Sequence, residues 1–179
     1  SVELSLMVEQ KKDETNASVA MYCTHSDESY VPSDGEESTS ENGGIFDVAT
    51  ELTKALEAKG FNVKLDKTIH EPHDAGAYRR SRQTAVDLMK EQKPGLILDI
   101  HRDAVPPEAY EENIDGNEAS KVRLVVGKSN QNYSANEEFA RKIKKVADDT
   151  YPGLIKDIFI GKGSYNQDLM PQAILFEMG

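Results

Sequence analysis

Three apolar runs in this sequence end in side chains that can bind a metal or carry a proton. AMYCT runs into His25, LILDI into His101 and AILF into Glu177. Imidazole offers nitrogen to a cation, and a carboxylate offers oxygen or takes a proton. Two histidines, an acid and an open water position make a common catalytic zinc site. The metal lowers the pKa of its water to about 7, so hydroxide forms at neutral pH. A carboxylate outside the coordination sphere then takes a proton and returns it. The chemistry to expect is hydrolysis with Zn2+ as cofactor, and Glu177 is the acid placed to move the proton.

The third ligand is open between three residues. Glu28 follows His25 in the stretch His25-Ser26-Asp27-Glu28, where a tight turn lets both side chains reach one ion. Glu41 stands at the far end of an acidic loop, near the start of a helix. His70 would make a site of three imidazoles. Other polar residues have two readings each. Asp99 shares a strand face with His101 and either orients that imidazole or is satisfied by backbone donors. Arg102 either holds a substrate carboxylate or an oxyanion, or pairs with its neighbour Asp103, which supports the site from behind. Tyr165, Asn166 and Gln167 line a cleft or form a turn. His73 reads as a solvated loop residue.

The elements that must position these groups alternate along the chain. ASVAMYCTH and FNVKLD read as strands on either side of a helix in which Ile45, Val48, Leu52 and Leu56 share a face. Gly60 stands where that helix should be capped. A second helix runs from about Tyr78 to Lys90, with Tyr78, Ala85, Val86 and Met89 inward, and Pro94-Gly95 stops it ahead of LILDIH. Asp115-Gly116 between extended segments signals a hairpin. Ser134 to Glu137 has the pattern of a capping box for a third helix, with Phe139, Ile143 and Val146 inward. LIKDIFIG and AILFE are the last strands. The alternation predicts an α/β fold, a three-layer α/β/α sandwich around a mainly parallel sheet, which the hairpin makes mixed. In such sheets ligands lie beyond the carboxyl ends of the strands, where His25, His101 and Glu177 would meet.

Composition narrows the partners. Among 179 residues, 21 basic and 32 acidic side chains give a net charge of −11. A field of that sign repels nucleic acid and anionic membranes. A single cysteine, Cys23, excludes an internal disulfide and a cysteine-rich zinc site. No apolar stretch reaches the length of a membrane helix, and there is no signal peptide. Residues 1–16 read as a polar lead-in, and residues 17–179 as a single catalytic domain. Residues 26–44 hold six acids, no base and three glycines, a loop long enough to be functional or disordered. A start at Ser1 rather than Met is expected of a fragment whose anchor or export signal lies outside it.

The stretches YCTHSDESY, DKTIHEPHDAGAYRRSRQTAVDLM, LILDIHRDA, LVVG and YNQDLMPQAILFEMG together resemble the stage II sporulation protein P family of spore-forming bacteria. The resemblance spans roughly residues 18–179. It implies a zinc-dependent N-acetylmuramoyl-L-alanine amidase, with D,D-endopeptidase activity besides, acting on peptidoglycan during forespore engulfment. It also implies an extracytoplasmic location, a membrane anchor absent from this chain, and a lytic transglycosylase, sporulation protein D, as partner. The implied fold is that of zinc-dependent amidases and exopeptidases. On the pattern of A-type metallocarboxypeptidases, His25, Glu28 and His101 would be ligands and Glu177 the general base. Related cell-wall amidases take their acid ligand near the first helix, which keeps Glu41 in play. Two rival readings remain: a zinc peptidase cutting within the stem peptide, and a non-catalytic peptidoglycan-binding scaffold.

Overall fold

The computed structural model describes residues 17–40 and 42–179. The expected lead-in 1–16 and the alternative ligand Glu41 lie outside them. Six strands form the main sheet, in the order β2-β1-β3-β8-β6-β7. They are β1 (Ser18–Tyr22), β2 (Asn62–Leu65), β3 (Leu96–His101), β6 (Val122–Gly127), β7 (Ile155–Gly161) and β8 (Ala173–Met178). β4 (Glu111–Ile114) and β5 (Asn117–Ser120) form a separate antiparallel pair. The helices are the single turn α1 (Val31–Asp34), then α2 (Ile45–Ala58), α3 (Ala77–Gln92) and α4 (Tyr133–Thr150).

The three-layer α/β/α arrangement is present. Along each strand alternate residues face opposite layers. Val19, Met21, Leu98, Ile100, Leu124, Val126 and Ile174 face α2 and α4, meeting Ile45, Phe46, Ala49 and Ala140. Ala20, Tyr22, Ile97 and Ala173 face α3 through Ala85 and Leu88. Each large apolar side chain so buried contributes roughly 1.5–3 kcal/mol. The second layer is the smaller of the two, and its free end, at the carboxyl termini of β1, β3 and β8, holds the polar residues of interest.

The sheet is mixed for a different reason than the hairpin suggests. The hairpin forms β4–β5 outside the main sheet. The mixture arises because β8 inserts between β3 and β6, parallel to the first and antiparallel to the second. The expected capping box also does not form. α4 already starts at Tyr133, ahead of Ser134; its cap Asn132 makes no side-chain capping bond and donates instead to the Asp168 carbonyl, while Glu137 bonds Arg141. Val146, expected inward, is 44% exposed. Gly60 does follow α2 in the left-handed region, at φ 88°. Among the described residues, no helix is long and apolar enough to cross a membrane.

Candidate metal centre

The cluster begins with a turn. The Glu28 N–H donates to the His25 carbonyl, so the chain reverses just beyond β1 and returns the Glu28 side chain toward β3. Main-chain bonds then clamp the turn: Gly43 N–H donates to the Ser26 carbonyl and Ile45 N–H to the Glu28 carbonyl. A Cβ at Gly43 would collide with the Glu28 carbonyl oxygen, so the start of α2 closes over the turn only with glycine there. The acidic loop is ordered by the same turn, through Ser29 N–H to the Glu37 carbonyl and Thr39 N–H to the Asp27 carbonyl.

His25, Glu28 and His101 present ligand atoms within 4.8 Å of one another. His101 Nδ1 stands 3.5 Å from Glu28 Oε1. Tetrahedral zinc, with bonds of 2.0–2.1 Å, holds its ligand atoms about 3.3 Å apart, so that spacing suits one ion. The His25 Nδ1, His101 Nε2 and Glu177 Oε2 atoms are buried without a hydrogen-bond partner. Buried polar atoms are seldom left so; a cation with its water can satisfy His25 Nδ1 and Glu177 Oε2, while His101 Nε2 faces away from Glu28, beside Asp99. Glu28 is oriented by the Arg102 main-chain N–H, which donates to Oε2 at 2.7 Å.

Support comes from β3. His101 is 2% exposed and Asp99 3%. Asp99 Oδ1 accepts from the Thr24 N–H, and Oδ2 from the Thr24 hydroxyl at 2.6 Å. His101 Nε2 stands 3.0 Å from Asp99 Oδ1, off the line a hydrogen bond needs. Asp99 thus takes a backbone donor and stands beside the imidazole.

Electrostatics separates these groups. Burial, then the neighbouring His101, lowers His25 to about 4, so its ring is neutral and ready to coordinate at pH 7. Burial alone would lower His101 too, but the Asp99 and Glu28 carboxylates outweigh it and raise it. Glu177 is raised to about 7, chiefly by burial, with Glu28, Asp103 and Asp99 adding to it against the opposing pull of His101. A carboxyl poised near neutrality suits a general base.

The other expected residues fall out as follows. His70 is buried with both ring nitrogens engaged, Nδ1 at the Cys23 carbonyl and Nε2 at the Thr84 hydroxyl, so it braces the end of β1 and lies outside the cluster. Arg102 sends a guanidinium nitrogen to the Glu37 carbonyl, and its Nε is buried without a partner. Asp103 pairs with Arg123 and Tyr110, not with Arg102. Asn166 and Gln167 do not line an open cleft. Gln167 is 1% exposed and ties its loop to β6 by accepting from Gly127 N–H and donating to the Val125 carbonyl. Asn166 donates to the Tyr78 carbonyl and the Ser81 hydroxyl. Tyr165 packs over Gly161 and Gly163, where a Cβ would strike its ring.

Two residues near the cluster escape a reading by residue type. His73 stacks on His25, with centroids 3.7 Å apart and planes at 8°, and its Nδ1 lies 3.1 Å from both Asp27 carboxylate oxygens. His25, Asp27 and His73 form a second group with ligand spacing. Tyr78, in the first turn of α3, lies edge-on to His25 and stacks over His101. A tyrosine at an inward helical position looks like core in sequence. The signal that distinguishes it is its place at a helix N-terminus, which in this topology sits at the carboxyl ends of the strands.

The family model described as Stage II sporulation protein P matches residues 3–179. The chain belongs to that family. It is 31% identical to the Stage II sporulation protein P of Bacillus subtilis (strain 168) over 180 residues, spanning 90% of this chain and 45% of that protein. The chain thus spans less than half the length of this relative. Among solved structures, it resembles an N-acetylmuramoyl-L-alanine amidase from Clostridium difficile 630, with a TM-score of 0.51 and 16% identity over 91% of this chain and 80% of that one. That likeness is one of fold.

Proposed function

We propose that this chain is a zinc-dependent peptidoglycan hydrolase that cleaves the amide between N-acetylmuramic acid and L-alanine of the stem peptide. The observation that carries it is the convergence of His25, Glu28 and His101 beside a Glu177 carboxyl raised to about 7. His25, Glu28 and His101 hold the ion. Bound there, zinc supplies a Lewis acid and a water acidic enough to react at neutral pH. Glu177 takes the proton of the attacking water and returns it to the departing alanine nitrogen. Thr24 fixes Asp99 beside the His101 ring, and the Arg102 main-chain N–H fixes Glu28. Family membership and the amidase-like fold support this reading. It places the chain outside the cytoplasm, on the wall, beside a lytic transglycosylase that cuts the glycan strands.

The test uses purified sacculi, with release products read by mass spectrometry. The parent should leave glycan strands with free lactyl groups, and His25→Ala and Glu177→Ala should lose several orders of magnitude in rate. Cleaved cross-links with peptides still attached would instead mark an endopeptidase. Sacculus binding without metal in elemental analysis would mark a scaffold.

A further inference from the structure

We propose that the Tyr78 hydroxyl is the oxyanion donor of this site, bonding the scissile carbonyl oxygen as it takes on charge. This rests on the hydrolytic reading above, because an oxyanion forms only if water attacks a carbonyl.

The site is short of donors. Glu28, Asp99, Glu177 and Asp27 surround the imidazoles with acceptors, and each would repel a developing negative charge. The Arg102 guanidinium reaches the Glu37 carbonyl instead, and His73 Nδ1 faces Asp27. Tyr78 has a donor to give. The hydroxyls of Tyr30 and Tyr110 are committed, to the Met178 carbonyl and to Asp103. That of Tyr78 makes no hydrogen bond among the described residues, and it is not among the atoms sealed from water without a partner.

Its place fits the role. The ring centroid lies 5.6 Å from that of His25 and 6.0 Å from that of His101. The groups that act on the hydroxyl electrostatically are His101, Asp99, Glu177 and Glu28, which are the cluster and its base. Tyr78 is also held in advance of any substrate. Tyr165 packs edge-on against its ring at 5.4 Å, and Asn166 donates to its carbonyl at 3.0 Å. Tyr165 and Asn166 both adopt positive φ, 52° and 55°. Such conformations cost side-chain-bearing residues energy and persist where the surroundings demand them. Here they aim the loop at the first turn of α3. A donor fixed beforehand costs no reorganisation when charge develops, which is what makes such donors effective.

The deciding variant is Tyr78→Phe, which keeps the ring contacts and removes only the O–H. Expected is a fall in kcat of about 10²–10³, the usual loss for one oxyanion donor, with KM within a few fold. Metal content and Tm should match the parent. A phosphinate analogue of the muramoyl–alanine amide should lose affinity by a similar factor, while the peptide product binds as before. Parent-like kcat in Tyr78→Phe overturns the inference. So does a slow variant that has lost metal or stability, which would make Tyr78 a support for the imidazoles. If the parent itself releases neither lactyl ends nor cleaved cross-links from sacculi, the hydrolytic reading fails first, and the two failures are told apart.

Discussion

His101 and Glu177 are register partners across the parallel β3–β8 ladder. Paired residues of a parallel ladder project to the same face, and neighbouring strands lie about 4.8 Å apart. The imidazole and the carboxylate beside it are thus spaced by the sheet itself, not by loops. A site built on strands is held more tightly than one built on loops.

That placement gives Glu177 a pH signature. With its carboxyl raised to about 7, kcat/KM should rise about tenfold per pH unit on the acid side and level off above the Glu177 pKa. A bound cation draws that limb downward, so in the metal-loaded protein it should fall at or below pH 7. Glu177→Gln should lose about 10²–10⁴ in rate and the slope with it. A slope that persists in Glu177→Gln would assign the base elsewhere.

The same carboxyl should cost stability. Its folded pKa exceeds the ordinary 4.5, so the folded state binds the proton more tightly than the unfolded one. Stability is full below pH 4.5 and falls as pH rises through 7. The interval corresponds to about 3 kcal/mol as an upper bound. Metal-free Glu177→Gln should therefore melt higher than the metal-free parent above pH 7, with the gap closing toward pH 4. Thermal melts across that range check the sign.

The Thr24 hydroxyl donates to Asp99, beside His101, so on the proposed metal reading it supports a ligand from outside. Thr24→Val removes the hydroxyl and keeps the main-chain donor. Loss of such outer support costs about 10–100-fold in metal affinity. Competition against a chelator measures it, and an unchanged affinity would mean that the backbone bond alone orients Asp99.

His70 should matter for folding and not for coordination. His70→Leu strands the Cys23 carbonyl and the Thr84 hydroxyl, and should destabilise by about 2–4 kcal/mol. Metal content of the folded fraction should stay at the parent's value. A lost metal equivalent in folded protein would restore His70 as a ligand.

Much of this was legible in the sequence because it is local. Alternation along LILDIH places Asp99 and His101 on one face, and the apolar runs before His25, His101 and Glu177 mark strand ends. The layer order follows from strands and helices in alternation. What the tertiary structure alone decided depends on neighbours distant in sequence. No local pattern states that β8 lies between β3 and β6, yet that insertion sets Glu177 opposite His101. Glu28 meets His101 because a turn is clamped from the start of α2. His70 is engaged by Cys23 and Thr84, while His73, three residues on, stacks against His25. Two histidines of one loop look alike in sequence, and their partners, which decide what each can do, are gathered only when the chain folds.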